Sequence, residues 1–147
     1  MITRQQIIDE ALTWVGTPYQ HQAMCKGYGV DCAMLAAGVS KQLGLLTVDD
    51  LKNIPPYPRD WHMHQDFPML TDSMKAIGCI QKNIEDRLPG DIVVFKIGRV
   101  PSHLGILVTQ DSMVHAYGNS GQKVVVTPID DAWLKRMIDV YAYPGVE

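Results

Sequence analysis

The chain has 147 residues, of which 46% are hydrophobic and 20% are charged, and its formal net charge is −3. This length suits a single domain, predicted over residues 1–147, with a sizeable core. Lysine and arginine are scattered without a basic run, so nucleic-acid binding is not expected. No apolar run approaches the length that spans a membrane, and no membrane role is expected.

The N-terminal stretch "MITRQQIIDEALTWVG" predicts an amphipathic helix over residues 4–15, ended by Gly16 and Pro18. Charged and amide side chains interrupt its apolar residues, so the stretch lacks the continuous apolar region of a signal peptide. We therefore expect the protein to stay in the cytoplasm where it is made, unless a larger assembly carries it elsewhere. The apolar residues fall on one helical stripe: Ile7, Ile8, Ala11, Leu12 and Val15.

A second helix is predicted over residues 32–43, after a loop that ends at Asp31. Asp31 is a suitable N-cap for this helix, and Gly44 is a suitable C-terminal stop. The helix is rich in alanine and glycine, which indicates close packing on both sides. Residues 46–68, which include "NIPPYPRDWHMHQDFP", predict a long ordered surface excursion, and residues 69–78 predict a short helix.

From Leu88 onward the pattern changes to short runs of β-branched and aromatic residues separated by turn signals. Helices followed by closely spaced strands predict an α+β fold, in which N-terminal helices pack on an antiparallel sheet. The five predicted strands lie in "GDIVVFKIG", "HLGILVTQ", "SMVHAYG", "KVVVTPI" and "MIDVYAYP".

Cys32 stands between a glycine-rich turn and the first turn of the second helix, in "KGYGVDCAMLAAG". A helix N-terminus carries about half a positive charge, which stabilises a thiolate and lowers the pKa of a thiol. The Cys32 amide would also face an oxyanion formed at this site. Since cysteine is among the most commonly buried residue types, a core thiol is the competing interpretation.

The other two cysteines, Cys25 and Cys79, lack this setting, because Cys25 is in a loop and Cys79 suits the core. Three cysteines without a CxxC spacing and without an export signal favour reduced thiols over disulfides or a zinc site. His62 and His64 have no third ligand at a fitting spacing, so no metal is predicted.

A cysteine nucleophile needs a base and a polar group that orients the base. His103 and His115 lie in two consecutive predicted strands. An odd-length loop around residues 109–111 would place both rings on one sheet face as diagonal neighbours, about 7–8 Å apart in position. A two-residue loop would place them on opposite faces unless a bulge intervened.

Five motifs in order, "GTPY", "GVDC", "PGDIVVF", "HLGILV" and "MVHAY", resemble the NlpC family of papain-like cysteine peptidases. The resemblance covers about residues 5–144. The stretches "YQHQ", "KGYGVDC" and "YPRDWHMH" resemble more narrowly the phage-tail and prophage branch of that family.

The resemblance implies that Cys32 is the nucleophile, His103 the base and His115 the residue that orients the base. It also implies that the Tyr19 hydroxyl reaches the site. Asp31, His21 and Ala33 are the expected substrate-binding residues, with a loop-surface histidine as the alternative for His21. Two departures concern the pocket: Ala33 stands where the family commonly has serine, and "HQA" replaces the usual Trp-Gly-Gly.

The implied substrate is a peptidoglycan stem peptide, cut at the bond between D-glutamate and the diamino acid. No metal or organic cofactor is implied, and phage tail proteins are the implied partners in a virion tail. Two alternatives remain open: another acyl-transfer enzyme on the same triad (amidase, transpeptidase or lipid-ester hydrolase), or a catalytically silent tail-tip module.

Overall fold

The computed structural model describes residues 1–45, 74–75, 78–98, 100–117 and 123–146, with only the backbone described at 100–102. The predicted excursion over 46–68 lies outside these residues, and so does most of the predicted helix over 69–78. His62 and His64 are therefore outside the described part of the chain.

Helix α1 (Arg4–Leu12) begins with a capping box. The Thr3 side chain accepts a hydrogen bond from the Gln6 amide, and the Thr3 amide donates to the Gln6 side chain at 2.8 Å. The helix ends three residues before the predicted boundary at 15. The chain leaves the helix through a turn in which Gly16 has a φ of 92°, a conformation that favours glycine.

Helix α2 (Cys32–Gln42) begins where the sequence predicts it, because Asp31 caps it by accepting a hydrogen bond from the Met34 amide at 2.8 Å. Helix α3 (Asp131–Arg136) was not predicted. It is capped in the same way by Asp130, which accepts a hydrogen bond from the Trp133 amide at 2.9 Å. Its length of 6 residues is too short to show a helical period in the sequence.

Most of the strands form one six-stranded antiparallel sheet with the order β3-β8-β4-β5-β6-β7. The five predicted strands correspond to β4 through β8, and the predicted α+β class is confirmed. The sheet strands are β3 (Ile80–Lys82), β4 (Ile92–Ile97), β5 (Val100–Thr109), β6 (Ser112–Tyr117), β7 (Lys123–Pro128) and β8 (Met137–Ala142), with a short 3-10 helix at Ile84–Asp86. A separate two-stranded ribbon precedes α2, formed by β1 (Met24–Cys25) and β2 (Gly29–Val30).

Helices α1 and α2 cover one face of the sheet, and α3 covers part of the other. On the first face, Leu35 and Val39 of α2 join a cluster with Leu104 and Ile106 of β5. On the second face, Trp133 of α3 packs against a smaller cluster formed by Val93, Phe95, Leu107, Met113, Met137 and Val140. Neighbouring residues of β5 therefore point to different layers.

The β5–β6 hairpin combines a two-residue connection with a bulge. Leu107 pairs with Met113 and Thr109 pairs with Ser112, and the register shifts between Leu107 and Thr109. The extra residue on β5 restores the parity that a two-residue loop would otherwise break. His103 and His115 consequently lie on the same face, as the alternative with a bulge predicts.

The close packing predicted for α2 is visible at Gly38, which faces the buried ring of Trp14. A Cβ atom added to Gly38 would lie 2.6 Å from the Trp14 ring atoms Cζ2 and Cη2. We expect Gly38→Ala to lower the free energy of unfolding by about 1–3 kcal/mol, because overpacking outweighs the gain in helix propensity. Urea unfolding at equilibrium measures this, with Gln42→Ala, an exposed change in the same helix, as a near-neutral control. A Gly38→Ala variant as stable as the original protein would contradict the prediction.

Candidate active site

Cys32 is the first residue of α2, and its side chain is 6% exposed. Three backbone groups are hydrogen bonded to its thiol, those of Leu104, Ala33 and Cys32 itself. Ala33 and Cys32 supply the open N-terminus of the helix, while Leu104 belongs to β5. The thiol therefore lies where the start of α2 meets the strand that carries His103.

Asp31 holds the start of α2 against the preceding loop. One carboxylate oxygen accepts a hydrogen bond from the Met34 amide at 2.8 Å, and the other accepts one from the Gln22 amide at 2.7 Å. Gln22 has a φ of 59°, so this bond fixes an uncommon backbone conformation. His21 Nδ1 lies 4.0 Å from the same carboxylate. The buried Asp31 carboxylate thus positions the start of α2, which carries Cys32, and its predicted contact with substrate stays a prediction.

The remaining predicted residues of this region surround Cys32 in different ways. Tyr19 is half-buried, and its backbone bridges to Val30, two residues before Cys32. Its predicted role at the site stays a prediction. Ala33 is buried in the same cluster as Cys32, and His21 is half-buried beside Asp31.

The two predicted histidines are in direct contact. His103 Nε2 and His115 Nδ1 are 2.7 Å apart, and their ring planes meet at 73°. His103 is 7% exposed and His115 is 1% exposed. His103 uses Nε2 toward His115, so its other nitrogen, Nδ1, takes no part in this contact. Gly105 provides room here, since a Cβ atom at that position would lie 3.3 Å from His115 Cβ.

Sequence reasoning missed Thr127, which extends this arrangement by one residue. The Thr127 hydroxyl lies 2.8 Å from His115 Nε2. In the β6–β7 pairing, Val125 lies opposite His115, and Thr127 lies opposite Met113, which puts the hydroxyl diagonally across from His115. The signal was available, because the alternation of "KVVVTP" beside "SMVHAY" permits this diagonal once the register is known.

Sequence reasoning also missed an aromatic enclosure around the two histidines. The Trp133 ring centroid lies 5.6 Å from that of His103 and 5.4 Å from that of His115. Tyr117 stacks on His115 with a centroid distance of 5.3 Å, and Phe95 lies beside both His103 and Trp133. These rings restrict the orientation of the imidazoles and exclude water from one side of them.

Burial sets the protonation of the site, against the expectation of a lowered thiol pKa. Loss of water around the thiol, together with the Asp31 charge, raises the pKa of Cys32 to about 12, although the three amides act in the opposite sense. Burial lowers the pKa of His103 to about 3, with a further contribution from His115, and lowers that of His115 to about 4. The site without substrate therefore holds a neutral thiol and two neutral imidazoles at pH 7.

These shifts predict a loss of stability in mild acid. Below about pH 6.5 the histidines of the unfolded chain bind protons, whereas His103 and His115 in the folded chain stay neutral until their pKa values of about 3 and 4. The free energy of unfolding should fall by up to roughly 1.4 kcal/mol per pH unit for each histidine between those limits. Urea unfolding between pH 7 and pH 5 measures the effect. His115→Asn should lose less stability over this interval, and equal losses would contradict the prediction.

None of the three cysteines forms a disulfide, and Cys25 is exposed on β1 whereas Cys79 lies in the core with Cys32. Over the described ranges, no three His, Cys, Asp or Glu side chains are grouped to hold a metal ion. Within the same residues, no helix has the length and apolar character needed to cross a membrane.

The fold is shared with solved structures of NlpC/P60 domains. The NlpC/p60 domain of peptidoglycan hydrolase SagA superposes with a TM-score of 0.63 at 16% identity, covering 95% of this chain and 97% of that one. NlpC2 from Trichomonas vaginalis gives a TM-score of 0.65 at 17% identity over 95% of this chain, which spans 46% of that protein. A lipoprotein-like NLP/P60 family protein from Staphylococcus aureus subsp. aureus Mu50 gives a TM-score of 0.62 at 19% identity. The match covers 95% of this chain and 41% of that protein. These likenesses establish the papain-like fold.

The sequence comparisons agree with the fold. Probable endopeptidase NlpC of Escherichia coli (strain K12) is 27% identical over 130 residues, which cover 87% of this chain and 70% of that protein. The model of the NlpC/P60 family matches residues 16–142, from the "GTPY" turn through β8. The chain therefore belongs to the NlpC/P60 family.

Proposed function

We propose that the protein is a cysteine peptidase that hydrolyses amide bonds in the stem peptides of peptidoglycan. The observation that carries the proposal is the 2.7 Å contact between His103 and His115, on a strand whose next residue, Leu104, is hydrogen bonded through its backbone to the Cys32 thiol. This arrangement supplies a nucleophile, a base and a group that orients the base. Family membership supports the substrate class, since one relative is named a probable endopeptidase and another a peptidoglycan hydrolase.

In the proposed reaction, Cys32 gives its thiol proton to Nδ1 of His103, and the thiolate attacks the carbonyl carbon of the scissile amide. The charge that develops on the carbonyl oxygen faces the amides at the start of α2. His103 then gives its proton to the departing amine, which leaves an acyl group bound to Cys32. Water, deprotonated by His103, attacks the thioester, and the acid product leaves with the thiol restored.

Proton transfer from Cys32 to His103 overcomes the burial that opposes each charge separately. A lone thiolate or a lone imidazolium is unfavourable in this site, as the pKa values of about 12 and about 3 show. When both form together, their attraction offsets part of the lost hydration, because the Coulomb interaction is strong at low dielectric. The reactive state is therefore an ion pair that requires both residues.

We predict that alkylation of Cys32 at pH 7 depends on His103. In His103→Ala the thiolate has no imidazolium partner, so the rate of reaction with iodoacetamide should fall at least tenfold. Mass spectrometry of peptides after a short pulse on folded protein measures the rate at each cysteine. The exposed Cys25 is the internal control and should react equally in both proteins. Equal rates at Cys32 in both would contradict the ion pair.

The bond and the setting are proposed from the motifs that resemble the phage-tail branch. We propose cleavage between D-glutamate and the diamino acid of the stem peptide. We further propose that the protein is made in the cytoplasm, associates with phage tail proteins and reaches the wall within a virion tail. The motif "KGYGVDC" ends at Cys32, whereas "YPRDWHMH" lies outside the described residues.

Mass spectrometry of digests of purified peptidoglycan tests the proposal. The expected products are fragments that end in D-glutamate and matching fragments that begin with the diamino acid, absent with Cys32→Ala. Cross-linked products of higher mass would indicate a transpeptidase, and loss of ammonia without chain cleavage would indicate an amidase. Release of fatty acid from lipid esters, with intact stem peptides, would indicate a lipid-ester hydrolase. The absence of any product would favour a silent tail-tip module.

A further inference from the structure

The hydrogen bonds of His103, His115 and Thr127 can run in two directions. His115 has one ring nitrogen near His103, at 2.7 Å, and the other near the Thr127 hydroxyl, at 2.8 Å. A neutral imidazole has one N–H and one acceptor nitrogen, so the proton position on His115 determines the direction of both contacts. The two directions have opposite consequences for His103.

In the first direction, His115 carries its proton on Nε2 and donates it to the Thr127 oxygen. Its Nδ1 then accepts a hydrogen bond from Nε2–H of His103, so Nδ1 of His103 carries no proton and can act as a base. In the second direction, the Thr127 hydroxyl donates to His115, and His115 donates to His103. Nδ1 of His103 would then hold the proton, and His103 could not accept one from a thiol.

We propose that Thr127 is a positioning residue that accepts the Nε2 proton of His115 and thereby keeps His103 in its basic tautomer. This inference deepens the peptidase function proposed above and rests on it. Thr127 would act through two imidazoles, without contact with the substrate. Thr127 would thus be a fourth residue of the site, in addition to Cys32, His103 and His115.

The surroundings of His115 favour such control by a side chain. His115 is 1% exposed, so solvent has little access to its ring. Tyr117 stacks on the ring and Trp133 meets it edge-on at 89°, which restricts rotation of the imidazole between its two partners. Each nitrogen consequently keeps its neighbour, and the hydroxyl is the group that contacts Nε2.

The proton positions can be measured without any substrate. Nitrogen-15 NMR of histidine-labelled full-length protein at pH 7 distinguishes a protonated ring nitrogen from an unprotonated one. We expect the proton of His115 on Nε2 and that of His103 also on Nε2. In Thr127→Val, which keeps the branched shape and removes the hydroxyl, we expect His115 to populate both tautomers. A proton on Nδ1 of His115 in the original protein would overturn the proposal.

Kinetics on the stem peptide provide the second readout. Thr127→Val should lower kcat about tenfold with little change in KM, as for the loss of one hydrogen bond that matters in the reaction. Thr127→Ser keeps the hydroxyl and should restore both kcat and the Nε2 tautomer. Unchanged tautomers and kcat in Thr127→Val would overturn the proposal. If the original protein cleaves no stem peptide, the peptidase function fails, while the NMR experiment still decides the tautomer.

Discussion

Replacing Cys32 with alanine should abolish cleavage of peptidoglycan, with a loss of rate on the order of 10⁴-fold or more. In the proposed reaction the variant lacks the atom that attacks the carbonyl carbon, and His103 has no thiol proton to accept. The amides of the α2 N-terminus remain, so binding of the stem peptide should persist. Release of soluble fragments from sacculi, measured under single-turnover conditions, reports the loss.

Two controls separate chemistry from folding in this experiment. Cys25→Ala removes the exposed cysteine on β1 and should leave the rate of cleavage unchanged. Thermal unfolding of Cys32→Ala should remain cooperative, because alanine keeps the small size and the helix propensity of this buried position. A folded Cys32→Ala variant that still releases fragments would show that Cys32 is a core thiol.

Replacing His103 with alanine should lower kcat/KM by roughly 10³–10⁴-fold, and replacing His115 with alanine should lower it by roughly 10–100-fold. In the proposed reaction His103 moves the proton in both halves, whereas His115 orients His103 through the 2.7 Å contact. The double variant should be no worse than His103→Ala alone, because His115 acts only through His103. Hydrolysis of a synthetic stem peptide, followed by chromatography, measures each loss.

His115→Asn is the matched variant for this series. Its amide oxygen can accept a hydrogen bond from Nε2–H of His103, so it should recover part of the rate lost in His115→Ala. Because His115 is almost completely buried, the alanine variant is also expected to lose stability, and both variants must be compared at a temperature where each is folded. A larger loss for His115 than for His103 would reverse the assignment of base and orienting residue.

Local sequence determined the elements that depend on neighbouring residues. Asp31 caps α2 by accepting a hydrogen bond from the amide of Met34, the third residue of the helix. The position of Cys32 at the helix start therefore followed from a few consecutive residues. Short runs of β-branched and aromatic residues between turn signals likewise located β4 through β8, because strand propensity and turn residues are local properties. The motifs that order Cys32, His103 and His115 along the chain were sufficient to indicate the family.

The direction in which His103 and His115 point could be predicted only conditionally. Parity depends on whether the connection has two or three residues and on whether a bulge is present, and both are consequences of how β5 and β6 pack in the whole sheet. The bulge between Leu107 and Thr109 decided the outcome. This bulge places His103 and His115, which are 12 positions apart in the sequence, on the same sheet face, where they form a hydrogen bond.

Only the tertiary structure decided the surroundings and the charge of the site. Trp133 lies on α3, a helix of 6 residues, and Thr127 lies on β7, the strand after the one that carries His115. Neither is near His115 in the sequence, although both contact it. The pKa of Cys32 was expected to fall because the helix terminus is a local feature, yet it rises because desolvation is contributed by the elements packed around the thiol. Helix starts and strand periods are local properties that a sequence encodes directly, whereas burial and diagonal contacts exist only once distant segments have come together.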